Sequence, residues 1–336
     1  MRTIYITVTV DWEGDTLGNT LSKFIQIRTD INSLMGFEVP MTHFICPNYW
    51  LKFTNTDTYK INGGLISQDE IGLHVHCWQT LVETSGVPFK PAPSMEPYGY
   101  GPLGRMVPLG CYSQAEIISI LHYSKNLLMS NLPGRKVVGF RCGGWFTCDV
   151  VFEALMEQGF TYDASAVPPA IFSQGYTRVD AGDKKDVNGC NWGVFTDAVL
   201  NIWGYSQINL DYFANTLTLN GTKNNAITPN TQPYKIFNSS MNKSIIEIPD
   251  TCALADYVTA DFMNKAIEAA VLLQKGDTTS NSPIFLSLGC HQESADPYGY
   301  RLLDFFKTLK TTYSDLLTAR SIQFITASQA VAAAGL

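Results

Sequence analysis

Charge is scarce in this chain. Only 16% of its 336 residues are charged, and no run of lysines or arginines offsets a formal net charge of −7. Affinity for nucleic acid comes largely from clustered Lys and Arg, so no nucleic-acid partner is expected. Long apolar runs are lacking too: nothing approaches the ~20 consecutive apolar residues that cross a bilayer. The opening MRTIYITVTVDWEGD alternates Thr with apolar residues and has neither a continuous apolar stretch nor a small-residue cleavage site. It does not read as a signal peptide, and a cytoplasmic protein is the expectation. The eight cysteines, at 46, 77, 111, 142, 148, 190, 252 and 290, show no CxxC spacing. They read as reduced, mostly buried thiols, which excludes a stapled scaffold. P-loop, GxSxG and dinucleotide signatures are missing, as is any internal repeat.

What is present is apolar and periodic. Apolar residues make up 45% of the sequence, enough for one large core, and α/β barrels of this length fold as a single unit. Strand-like and helix-like segments alternate: a first strand through TVTVDW, a helix over 21–35 stopped at Gly36, a strand over 39–46, and another over 70–76. A capping-box pair, Ser113 and Glu116, opens a helix. Further strands are expected at 136–142, 160–162, 244–248, 284–290 and 322–325, with helices at 148–158, 261–274 and 298–309. Such alternation implies parallel pairing through crossover helices, an α/β fold. Two stretches break the rhythm. Residues 79–112 hold six prolines and five glycines, and 164–243 is rich in Asn, Gly, Ser and Thr. Both read as loop insertions on one domain spanning 1–336, the first as a binding loop.

The chemistry-bearing residues fall at strand ends. Asp11 and Glu13 share one parity of the first strand, so both carboxylates leave the same face. Buried acids at a strand edge bind a cation, share a proton or meet bases; an exposed strand-to-loop junction is the plainer alternative. His74 and His76, two of only five histidines, are at i and i+2, which places their backbones ~6.6 Å apart on one face. With Glu13 they form the mixed nitrogen and oxygen set of a catalytic zinc site that keeps a position open. Arg141, in FRCGGW, ends a third strand and suits a buried carboxylate; a purely structural ion pair would also account for it. His291, in SLGCHQE, ends a late strand and has the ordinary pKa of a proton donor; a surface histidine is the plainer alternative. Cys77, Cys142 and Cys290 have the opposite parity and should lie under the helices.

In that order these motifs resemble the polysaccharide deacetylase family, the NodB-homology fold of carbohydrate esterase family four. TVDWEGD is similar to its first motif, EIGLHVH to the second and FRCGGW to the third; GFTYDAS at 159–165 and the strand ending at His291 follow. The resemblance implies a distorted (β/α) barrel of about seven parallel strands. It further implies Asp11 as base, Arg141 as the residue orienting it, His291 as acid, and a divalent metal, zinc first, on Glu13, His74 and His76. The expected activity is hydrolytic removal of an N-acyl group from a carbohydrate or related amide. Trp78, Gly144 and Trp145 are expected at the substrate, with a backbone N–H near Gly144 as oxyanion donor. The chain departs from the family where a second ligand histidine would stand four residues after His74: that position is Trp78, and His76 is expected to substitute. A metal-independent, allantoinase-like amidohydrolase and a non-catalytic carbohydrate-binding barrel are the alternative readings.

Overall fold

The computed structural model describes residues 2–15, 17–52, 61–90, 104, 107–145, 147–168, 218–219, 222–223, 229–277 and 279–336. The tips of both expected insertions, 91–103 and 169–217, lie outside these residues, as does Cys190.

Alternation along the first strand, β1 (Ile4–Trp12), divides the molecule. Ile4, Ile6, Val8, Val10 and Trp12 join the large core beneath the helices, whereas Tyr5 packs with Phe285, Tyr162 and Ala330 in a second cluster on the other face. The helix α1 (Gly18–Met35) follows, stopped by Gly36 in the left-handed region (φ 81°). Then come β2 (Thr42–Ile45), α2 (Tyr49–Lys52), β3 (Glu70–Val75) and α3 (Gln79–Thr84). β2 is shorter than its apolar run because Pro40 has no N–H to offer, and the flanking N–H groups of Val39 and Met41 go to the side chains of Asn32 and Asp69. The helix α4 (Gln114–Asn131) carries the capping box, with Ser113 and Glu116 bonded reciprocally.

β4 (Val137–Cys142), α5 (Asp149–Glu157) and β5 (Tyr162–Asp163) come next. After them, β6 (Thr218–Leu219) and β7 (Thr222–Lys223) pair antiparallel, apart from the main sheet. The chain ends with β8 (Tyr234–Asn238), β9 (Lys243–Glu247), α6 (Ala260–Gly276), β10 (Ile284–His291), α7 (Ala295–Thr312), α8 (Ser314–Thr318), β11 (Ile322–Phe324) and α9 (Ala327–Ala334).

Among the described residues the main sheet has nine strands, in the order β10-β1-β2-β3-β4-β5-β9-β8, with β11 paired to β1. All its pairings are parallel except β8 against β9. The count is therefore eight parallel strands, where about seven were expected, and the antiparallel β8 falls inside the stretch read as insertion. The sheet curls until its ends meet. Beyond β9, Ile248 and Asp250 still donate to Asp163 and Ala166 on the β5 side. The chain then crosses: Cys252 and Ala255 donate to Ser287 and Gly289 of β10 at 2.8 and 2.7 Å. Lower down, the Gln232 side chain accepts from the Phe285 N–H at 2.7 Å in place of a strand. Closure by an irregular segment and one amide side chain is what distorts the barrel.

The C-terminal helix α9 covers the bottom. Ser328 N–H donates to the Glu70 carboxylate at 2.8 Å, and Ala327 N–H donates to Thr42 Oγ1 at 2.9 Å. Active-site groups of such barrels gather at the opposite, C-terminal rim.

Candidate functional site

Register brings the candidate residues together at that rim. Asp11 of β1 lies directly across from His291 of β10, and His74 of β3 from Arg141 of β4. Glu13 and His76 sit just beyond their strands, on the parity that faces the barrel interior. The three neighbouring thiols Cys77, Cys142 and Cys290 occupy the other parity, in the core under the helices. Burial pushes Cys290 and Cys142 far up from the ordinary thiol range.

Around the Glu13 carboxylate stand three imidazoles. Its Oε2 is 2.9 Å from His76 Nε2, and its Oε1 is 3.1 Å from His291 Nε2 and 3.6 Å from His74 Nε2. Glu13, His74 and His76 each offer a ligand atom, and these atoms all lie within 4.8 Å of one another. The fit to a divalent cation rests on the tautomer of His74. A carbonyl only accepts, so the 2.9 Å contact from His74 Nδ1 to Arg141 O makes Nδ1 the donor. Nε2 then carries the lone pair; it is buried, and no hydrogen bond from the described residues is made to it. A second bond that sets the tautomer of a ligating histidine is the usual support of a metal site. The approach is tight: a Cβ at Gly143 would come within 2.7 Å of His76 Nδ1, so no larger residue leaves room for this ring.

Two buried dyads flank the cluster. Arg141, wholly buried, donates from Nη1 to Asp11 Oδ1 at 2.9 Å and to Thr9 Oγ1 at 3.0 Å, and from Nε to Ala164 O at 2.8 Å. Its Nη1 is also 3.5 Å from Asp250 Oδ2. On the other flank, His291 Nδ1 is 3.0 Å from Asp256 Oδ2, while the His291 N–H reaches Asp256 Oδ1 at 3.4 Å. Burial by itself would lower the His291 pKa, but Asp256 and Glu13 hold it well above the ordinary imidazole value. With Nδ1 tied to Asp256, Nε2 is aimed into the cluster.

Sequence reasoning missed Asp256, Asp250, Asp163, Glu247 and Glu293. Asp256 is 35 residues from the histidine it bonds, in an aperiodic stretch, and only barrel closure brings the two together. Asp163 and Glu247 are direct partners on β5 and β9. Burial, and then the neighbouring Asp163, push Glu247 well above its ordinary range. The expected substrate-side residues are placed as follows. Trp78 is only 4% exposed, and its indole N–H donates to Glu13 O at 2.7 Å. Gly144 sits at φ 65° in the turn after β4. Trp145 is buried and packs edge-on against Tyr257, whose ring in turn leans on His291. No helix among the described residues is long and apolar enough to cross a membrane.

No family model matches the sequence, and no curated protein matches it. Solved structures do. A "putative polysaccharide deacetylase" from Mycobacterium smegmatis matches 99% of this chain and 91% of its own length, at 14% identity and a TM-score of 0.49. A second so described, involved in O-antigen biosynthesis in Bordetella bronchiseptica, matches 98% of this chain and 88% of its own at 13% identity and a TM-score of 0.35. The 4-alpha-glucanotransferase of Thermococcus litoralis matches 99% of this chain but 40% of its own, at 12% identity and a TM-score of 0.46. Over nearly its whole length, the chain is similar in fold to proteins described as polysaccharide deacetylases.

Proposed function

We propose that this protein is a metal-dependent hydrolase that removes an N-acyl group from a carbohydrate or related amide. The observation that supports it best is the donor set Glu13, His74 and His76, with ligand atoms inside 4.8 Å, flanked by one anchored carboxylate and one anchored imidazole. A divalent ion held there, zinc first, would supply Lewis acidity toward water and the amide carbonyl. The chain's own residues handle the protons. Asp11, its Oδ1 pinned by Arg141, takes a proton from the attacking water as general base. His291, its Nδ1 tied to Asp256, gives the Nε2 proton to the departing amine. The backbone N–H at Gly144 is our candidate for the oxyanion donor, and Trp145 for a wall against the substrate.

The test is Asp11→Asn, a nearly isosteric change, assayed on a panel of N-acetylated oligosaccharides and small cyclic amides with zinc content measured alongside. Turnover should fall by about 10²–10⁴ while zinc stays bound. Undiminished turnover would remove Asp11 from the role of base. Equal turnover after chelation would move the reading to a metal-independent amidohydrolase.

A further inference from the structure

Glu13 lies past the end of β1, where a strand normally frays, yet its peptide is gripped on both sides. Its N–H donates to Glu293 Oε1 at 3.0 Å, and its carbonyl accepts the Trp78 indole N–H at 2.7 Å. Each grip is itself braced. The buried Tyr49 hydroxyl, at the start of α2, donates to the same Glu293 oxygen. The Lys52 ammonium covers the Trp78 ring 5.3 Å from its centroid and pairs with Asp15. The next peptide is held as well: Asn48 Nδ2 donates to Gly14 O at 2.9 Å, and Thr80 Oγ1 donates to Asn48 Oδ1 at 2.8 Å. Segments that follow β2, β3 and β10 thus converge on the backbone of two consecutive residues, Glu13 and Gly14.

We propose that Trp78 and Glu293 are positioning residues that clamp the Glu13 peptide and thereby set the affinity of Glu13, His74 and His76 for a divalent cation. This rests on the metal-site reading above. A glutamate on a mobile backbone must order its main chain as well as its side chain to meet two imidazoles, at about 1–2 kcal/mol per backbone residue fixed. A backbone already held removes that cost from the binding step. The same geometry accounts for Trp78 standing near the imidazoles without contributing a ligand: its one polar atom is spent on the Glu13 carbonyl, and its ring is buried, which takes it away from any substrate-stacking role.

Zinc affinity of the purified full chain, measured by chelator competition on wild type, Trp78→Phe, Glu293→Ala and Glu293→Gln, tests this. Phe keeps the ring and loses the donor. Gln keeps the oxygen that accepts from Glu13 and Tyr49, whereas Ala does not. Trp78→Phe and Glu293→Ala should each weaken zinc binding about 10–100-fold, the usual effect of losing a partner behind a ligand, and Glu293→Gln should stay close to wild type. Melting temperatures recorded on the same samples separate positioning from bulk stability. A lowered melting temperature with wild-type zinc affinity in Trp78→Phe overturns the clamp, even if Glu293→Ala fails to fold. A wild-type chain that binds no zinc instead overturns the metal site itself, whereas equal binding by wild type and variants overturns the clamp alone.

Discussion

Arg141→Met removes a buried cation that faces Asp11 and Asp250 in the barrel interior while keeping an unbranched stem in the space beside Phe44, whose ring the guanidinium now covers at 4.5 Å. Three bonds vanish: to Asp11 Oδ1 at 2.9 Å, Thr9 Oγ1 at 3.0 Å and Ala164 O at 2.8 Å. Asp250, 3.5 Å away, also loses its counter-charge. Removing one partner of a buried ion pair costs about 3–5 kcal/mol, because the charge left behind stays buried. Set against a typical total of about 5–15 kcal/mol, that is a large fraction of stability.

The pH dependence carries the diagnosis. Burial already raises the Asp250 carboxyl above its ordinary value, and Arg141 is the chief influence drawing it down. Without Arg141 it rises further. A carboxyl whose folded pKa exceeds its unfolded value subtracts stability above the unfolded value, increasingly as pH climbs toward the folded one, and subtracts nothing once both states are protonated. The deficit of Arg141→Met should therefore be full at pH 7.5 and smaller at pH 5, read by urea unfolding at both. Adding Asp250→Asn should recover part of it at pH 7.5, and the double-mutant cycle isolates that coupling. A deficit under about 1 kcal/mol at pH 7.5, the scale of an exposed pair, or one unchanged between the two pH values, would refute the claim that buried charge holds this rim together.

Other consequences are more local. A Cβ at Gly289 would fall 2.0 Å from the Thr9 carbonyl oxygen on β1, and backbone yields less readily than a side-chain tip. Gly289→Ala should cost at least the ~1–3 kcal/mol of an overpacked core, and a wild-type melting temperature would contradict the β1–β10 register. At the base, Glu70 accepts from Ser328 N–H at 2.8 Å and Tyr162 OH at 2.8 Å. Glu70→Gln removes the charge at the start of α9 and should lower stability by about 1 kcal/mol; denaturant titration with no shift would show that this cap contributes nothing. Asp69 receives Arg28 through two bonds of 2.6 and 2.7 Å. Burial by itself would raise its pKa, but His43 and Arg28 outweigh burial and hold it well below the ordinary carboxylate value. Its contribution is then present above its unfolded value, near pH 4, and lost as pH falls through the folded one. Asp69→Asn should weaken the protein at pH 7 and flatten the acid limb of its stability profile, and an unchanged limb would count against this assignment.

How the fold and site were legible follows from which interactions are local. Parity along TVTVDWEGD put Asp11 and Glu13 on one face and the apolar residues on the other, and the i, i+2 spacing of His74 and His76 did the same for the imidazoles. The capping box at Ser113 and the stop at Gly36 were readable because a cap involves only near neighbours. None of this says which strands lie side by side. That β10 neighbours β1, so that His291 meets Asp11, is a pairing of the first strand with a late one, which no local pattern states. The joining segment, 248–255, has no period because it leaves one strand to pair with another.

Asp256 and Asp250 acquire their partners on the closing segment, Asp163 and Glu247 through the pairing of β5 with β9, and Glu293 through the loops beyond β1 and β2; no spacing in the chain encodes any of these contacts. Trp78 shows the same limit from the other side: its residue type suggests a stacking surface, and only the folded chain shows that its indole N–H lies on the Glu13 carbonyl. The sequence by itself determined most of the parallel strands, their faces and the chemical character of the rim residues on them, since these depend on the alternation of side chains along an extended backbone. The tertiary structure alone decided which carboxylate holds which cation, because the desolvation and distances that select a partner exist only once the barrel has closed.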